Sequence, residues 1–143
     1  MSLFQKPPLN GCALLIPIEG YELPHYVALQ HRDGSIEVPG GHVEEKEKPR
    51  FAAFREAIEE VGLATNGLRP LYDGHHTGRN GELYHAWVFV CEPVPNRLFG
   101  TATSEGSGCK VVAVTEHDLT GPKSVYRDLM TTVFMNWVDR RVR

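Results

Sequence analysis

GHVEEKEKPRFAAFREAIEEVGL, residues 41–63, is the stretch on which the reading of this chain turns. Six of the 18 acidic residues in the 143-residue sequence lie between Glu44 and Glu60. Pro49 to Val61 reads as a helix. Pro49 suits the first turn, where a missing N–H costs nothing, and Gly62 suits the left-handed C-terminal cap. At about 100° per residue, Phe51, Phe54, Ala57, Ile58 and Val61 gather on one side, and Glu56, Glu59 and Glu60 on the other. The expectation is a core stripe and a carboxylate stripe facing away from each other.

A Glu-rich helix face usually does no more than stay wet. Two features weigh against that here. Glu56, Glu59 and Glu60 are like charges at i+3 and i+4, a spacing that costs roughly a few tenths of a kcal/mol per pair unless a cation relieves it. Just upstream, the turn Pro39-Gly40-Gly41 brings backbone carbonyls and a further acid, Glu47, toward the same helix. Several carboxylates with a carbonyl make a hard oxygen donor set. Such a set suits Mg²⁺ or Mn²⁺, which keep some waters and recruit substrate phosphates.

These residues resemble the Nudix hydrolase signature, G-x5-E-x7-R-E-U-x-E-E-x-G-U, where U is a bulky aliphatic residue. Gly41, Glu47, Arg55, Glu56, Glu59, Glu60 and Gly62 stand at its seven fixed positions and Leu63 at its last U. Ala57 is smaller than the aliphatic usual at the remaining one. At ordinary residue frequencies, a match at seven fixed positions arises by chance with a probability of about 10⁻⁷ or less. Pro39, Gly40, Gly41 and Glu44 also fit the P-G-G-x-x-E that commonly opens the family's motif.

The resemblance covers 23 of 143 residues; the rest agrees in element order and length. It implies an α/β protein, a single Nudix domain over residues 1–143, with a mixed β-sheet sandwiched between α-helices. It also implies hydrolysis of a phosphoanhydride bond in a nucleoside di- or triphosphate derivative, releasing a nucleoside monophosphate. Carried over position by position, Glu56, Glu59 and Glu60 would hold Mg²⁺, or Mn²⁺ in its place, with the Gly41 carbonyl as a further ligand. Glu56, Arg55 and Glu59 are the catalytic candidates. Glu56 would orient or deprotonate the attacking water, and Arg55 would pair with an acid such as Glu47 to fix the loop. Family members often carry another carboxylate where the strand after the long loop begins. Lys110 stands there, so Glu105, five residues earlier, is the candidate to swing in.

The logic of the reaction agrees. Water attacking a phosphoanhydride needs charge neutralised on the phosphate oxygens and a nucleophile available near neutral pH, and bound metal supplies both. The subgroup markers for ADP-ribose and diadenosine polyphosphate hydrolases are missing from Gly78 to Gly81, and short length fits compact members acting on nucleoside triphosphates. A non-catalytic nucleotide-binding module on the same fold is the alternative, disfavoured because a retired site has no physical need of three crowded acids.

Outward from the motif, Cys12 to Ile18, Tyr26 to His31, Ile36 to Val38 and Val111 to Val114 read as strands. Leu83 to Cys91 is apolar on both alternating faces, which marks a central strand covered on both sides. Tyr84, Trp87 and Phe89 on it could stack a base, but on an apolar central strand they are expected in the core. Residues 92–110 read as loop. Ser124 is placed to cap a last helix whose Tyr126, Leu129, Met130, Val133, Phe134 and Trp137 recur at 3/4 spacing. His75 and His76 are adjacent, so on an extended segment they face opposite ways and do not share an ion. Arg79 and Arg97 read as solvated loop cations.

Composition narrows the partners. Hydrophobic residues make up 41% and charged residues 23% of the chain, ordinary globular usage that excludes wholesale disorder. A formal charge of −3 gives no footprint for a sequence-blind nucleic-acid binder, and RNA 5′-end processing lacks support for the same reason. The apolar run Cys12 to Ile18 is far too short for a membrane span. Cys12, Cys91 and Cys109, odd in number and without C-x-x-C spacing, read as reduced thiols of a cytoplasmic protein. The expected partner is a small-molecule nucleotide, without nucleic acid or membrane; a homodimer is compatible but not readable.

Overall fold

The computed structural model describes residues 9–77, 81–104 and 108–142. Among these residues, eight strands and four helices follow one another as β1 (Leu9–Leu15), β2 (Pro17–Ile18), β3 (His25–Gln30), β4 (Ile36–Glu37), β5 (Gly40–His42), α1 (Pro49–Val61), β6 (Arg69–Thr77), β7 (Leu83–Val90), α2 (Asn96–Phe99), β8 (Lys110–Thr115), α3 (Glu116–Leu119) and α4 (Arg127–Val142). They form a mixed sheet ordered β5-β1-β7-β6 and a second one ordered β2-β3-β4, with β8 added beside β3. β1 runs parallel to β7, while β5 and β6 are antiparallel to their neighbours.

β7 is an interior strand, as its two apolar faces require. Ala86, Val88 and Val90 join one core cluster with Leu129, Met130, Val133 and Phe134 of α4. Phe89, with Trp87 at its margin, joins the other, against Ala52, Ala53, Ala57 and Val61 of α1. The two long helices thus cover opposite sides of the sheet.

α1 has the bounds its Pro49 and Gly62 dictate, with Gly62 at φ 71° closing the helix in the left-handed region. Its buried stripe differs from the sequence expectation. Ala52, Ala53, Ala57 and Val61 face the sheet, whereas Phe51 is 59% exposed and Ile58 44%. Three alanines make most of this contact, and the bulky Phe51 and Ile58 side chains are turned to the flanks. The carboxylates turn with them. Glu56 and Glu60 continue the i, i+4 row that starts at buried Ala52, so they border the core rather than oppose it, while Glu59 lies farther out.

Two further expectations are corrected. Residues 92–110 contain a helical turn, α2, whose Phe99 packs against the α1-side core. α4 begins at Arg127, and Ser124 does not cap it; the Ser124 hydroxyl is buried and has no hydrogen-bond partner among the described residues. β6 and the short β5 were not legible as strands.

Candidate active site

β5 and the C-terminal half of α1 meet through glycine. A Cβ on Gly41 would stand 2.6 Å from the Glu56 carboxyl carbon, and a Cβ on Gly40 would collide with the Cys12 carbonyl. Glycine at both positions lets the helix acids come up against the strand backbone. The Gly40 N–H donates to Glu60 Oε1 at 2.7 Å, tying that carboxylate to the strand edge.

Arg55 organises the other acids. Its Nε and Nη2 donate to the two oxygens of Glu47 at 2.8 and 3.0 Å, the bidentate fork that a guanidinium and a carboxylate form best. Nη1 reaches Glu56 at 3.0 Å and Glu59 at 3.2 Å, and Nη2 also donates to the His42 carbonyl at 3.1 Å. Glu47 in turn accepts from the Glu44 N–H at 3.0 Å. One cation therefore holds the loop to the helix and faces three of four neighbouring carboxylates.

The charge balance shows in the titration behaviour. Hydrogen bonding from Arg55 holds Glu47 below the usual carboxylate range, and Glu47 raises Arg55 in return. Burial pushes Glu56 up, against the pull of Arg55. Burial pushes Glu60 up to about 7, with the Gly40 N–H acting against it and Glu56, Glu37 and Glu59 adding repulsion. Among the described residues no three His, Cys, Asp or Glu side chains converge as a ready-made metal cage. The donor set still fits a hard divalent cation. It offers only oxygen, it carries four acids against one Arg55, and in two of those acids, Glu56 and Glu60, burial penalises the charged form. Glu56, Glu59, Glu60 and the Gly41 carbonyl are the residues that would hold it. Glu105 and Arg79 lie outside the described residues. Lys110 is the exposed first residue of β8, opposite Gln30.

On the far side of Gly40 and Gly41 the sheet opens into a cleft of about 380 Å³, between β1 and β7 on one hand and Val125 to Met130 on the other. Tyr84 of β7 lines it. Its hydroxyl is buried without a hydrogen-bond partner among the described residues, and burial pushes it up to about 12. Tyr126 stands edge-on to it, with ring centroids 6.5 Å apart at 71°. Sequence reasoning preferred the core for Tyr84 over a base-stacking role and did not see the cleft. The only signal was a tyrosine among aliphatics, since a tyrosine hydroxyl is costly to bury unpaired. Phe89 is core, as expected, and Trp87 is half-buried and stacked at 3.8 Å on His85, which also meets Asp73. His75 lies opposite His85 and His76 opposite Tyr84 across the β6–β7 pair, on the two faces of the sheet.

A family model for the NUDIX domain matches residues 19–131. The chain belongs to the Nudix family. It is a Nudix hydrolase, an enzyme acting on pyrophosphate bonds. Solved structures share the fold. The MutT protein of Methanosarcina mazei Go1 superposes with a TM-score of 0.72 at 18% identity, covering 92% of this chain and 96% of its own. The Ap4A hydrolase of C. elegans, as a binary complex, gives 0.71 at 14% identity, covering 94% and 98%. The NUDIX domain of Shewanella oneidensis NrtR, complexed with ADP ribose, gives 0.66 at 12% identity, covering 94% and 90%. No helix among the described residues is long and apolar enough to cross a membrane.

Proposed function

We propose that this Nudix hydrolase is a Mg²⁺-dependent pyrophosphohydrolase of nucleoside di- or triphosphate derivatives, with Mn²⁺ able to substitute, and that it releases a nucleoside monophosphate. The observation that carries this is the juxtaposition across Gly40 and Gly41: half-buried carboxylates on the helix side, and a cleft lined by Tyr84 and Tyr126 on the other. A nucleoside in the cleft has an apolar, aromatic wall to lie on, and its phosphates then reach toward the acids. That one fold neighbour is complexed with ADP ribose and another is an Ap4A hydrolase supports a nucleotide-derived substrate.

Bound at these oxygens, the metal would neutralise charge on the phosphates and make a water nucleophilic near neutral pH. The residues supply the rest. Glu56, at the centre of the acid row, orients the attacking water and accepts its proton. Glu59 and Glu60 hold charge beside it, with Glu60 fixed by the Gly40 N–H. Arg55 keeps Glu47, Glu56 and the His42 carbonyl in register and does not touch the reacting phosphorus. The test is a panel of nucleotides assayed for phosphate and pyrophosphate release. Hydrolysis is expected with Mg²⁺ and none in EDTA. Full activity in verified metal-free protein would overturn the metal assignment, and saturable binding without hydrolysis of any nucleotide would leave a binding module instead.

A further inference from the structure

A second set of reactive groups lies at the start of β8. Cys109 Sγ is 3.2 Å from His31 Nδ1, and His31 Nε2 is 3.2 Å from Glu37 Oε1. The tautomer that satisfies both contacts carries its proton on Nε2, donates it to Glu37, and leaves Nδ1 to accept from the thiol. A nucleophile beside a base that a third group orients is the arrangement that activates cysteine. The backbone holds His31 in place, because its N–H donates to the Ser35 carbonyl at 2.8 Å and its own carbonyl accepts from Gly34 at 2.9 Å.

Two cations, Arg32 and Lys110, lie near the thiol, which is partly open to solvent. Cys109 is half-buried. The Arg32 guanidinium lies against Gly108, its Nε 3.2 Å from where a Cβ on that glycine would stand, and exposed Lys110 follows on the other side. A partly exposed thiol among cations is the setting in which cysteines react. Cys12 and Cys91 serve as contrast within the same chain: they are 7% and 2% exposed, and burial pushes their thiols up to about 11 and about 12.

We infer that Cys109, His31 and Glu37 form a reactive-thiol site, adjoining the carboxylate site through Glu37, that takes up small anionic disulfides as a mixed disulfide. His31 Nδ1 accepts the thiol proton and Glu37 steadies the imidazolium. The Cys109 sulfur attacks one sulfur of the incoming disulfide, whose S–S bond breaks. The departing thiolate takes the proton from His31, so Cys109 is oxidised to the mixed disulfide as half of the reagent is reduced to thiol. Arg32 and Lys110 favour a negatively charged reagent over a neutral one.

The test uses glutathione disulfide and a neutral dipyridyl disulfide on the full chain at pH 7, read by intact mass and peptide mapping, without reference to nucleotide hydrolysis. One adduct per chain is expected, on Cys109, with Cys12 and Cys91 modified only after unfolding. Without the His31 imidazole the thiol proton loses the side-chain base that receives it, so His31→Gln should slow modification by about tenfold. Glu37→Gln, which keeps both thiol and base, should slow it by about threefold. Arg32→Gln should slow the reaction with glutathione disulfide and leave that with the dipyridyl reagent unchanged. Equal rates in the wild type and in folded His31→Gln would overturn the site. Should that variant not fold, an unchanged rate in Glu37→Gln does the same, as does equally fast modification of Cys12 or Cys91.

Discussion

α1 and α4 cover opposite sides of one sheet on different terms. α1 presents Ala52, Ala53 and Ala57 and lies so close that Gly41 has no room for a Cβ beside Glu56. α4 presents Leu129, Met130, Val133 and Phe134, whose bulk holds it off the strands, and the cleft opens beside it. Side-chain size at the contact thus sets what each side of the sheet can do. Small residues bring charged groups up to the backbone, where a metal and phosphates are handled; large ones leave space for a ligand's apolar part.

The comparison can be broken first at its bulky side. Phe134 is 2% exposed and packs on Tyr26 and Trp137, with ring centroids 5.6 and 5.9 Å away. Phe134→Ala should cost about 3–5 kcal/mol in urea unfolding; a cost below about 1 kcal/mol would mean that α4 does not depend on bulk. Next comes the charged side. Glu56→Gln should lower turnover by about 10²-fold or more while the urea midpoint stays near that of the wild type, because Glu56 borders the core and does not fill it. A near-native rate would remove Glu56 from the reaction.

Smaller effects sharpen the picture. Ala57→Leu should destabilise by about 1–3 kcal/mol, since a fully buried methyl site has no room for a larger group. Phe51→Ser, on the same helix, should change stability by less than about 0.5 kcal/mol, and the reverse ranking would restore Phe51 to the core. Glu47 gives a pH signature between these two. Arg55 holds its carboxyl below the ordinary value, so its contribution is complete above the unfolded-state value and fades as pH falls through the folded one. Thermal midpoints of wild type and Glu47→Gln should therefore differ at pH 7 and converge below about pH 4. A gap that persists in acid would assign the loss to packing instead.

Legibility in the sequence followed the range of the interactions concerned. α1 was readable to the residue because Pro49 and Gly62 act locally, and β7 because both of its faces are apolar. β5 was not, because Gly40, Gly41 and His42 have little strand preference and pair only because Cys12 lies opposite Gly41. β6 carries Pro70, Gly74 and exposed Asp73 and is a strand by virtue of its pairing with β7. The rotation of α1 toward Ala52 and Ala53 escaped the periodicity, which weighs hydrophobicity and not the distance to the sheet. At the site, the family resemblance implied an acid such as Glu47 as partner for Arg55, and the pair is bidentate. The cleft and the contact of Cys109 with His31 depend on residues far apart in sequence, for which no local pattern exists.

The parallel pairing of β1 with β7 has a consequence for the birth of the molecule. Leu9 lies opposite Tyr84, and in the other sheet His25 lies opposite Thr115. Each sheet is therefore closed by a strand made long after its neighbour, while α1 is complete in between. During synthesis the early strands must wait, with apolar Leu14, Leu15, Val27 and Leu29 uncovered, until β7 and then β8 emerge from the ribosome. Closing such long loops comes before any reward from pairing, so refolding should take milliseconds to seconds and not microseconds. A truncation ending before β8 should be held by chaperones rather than fold, since the β8 edge of β3 is then left uncovered.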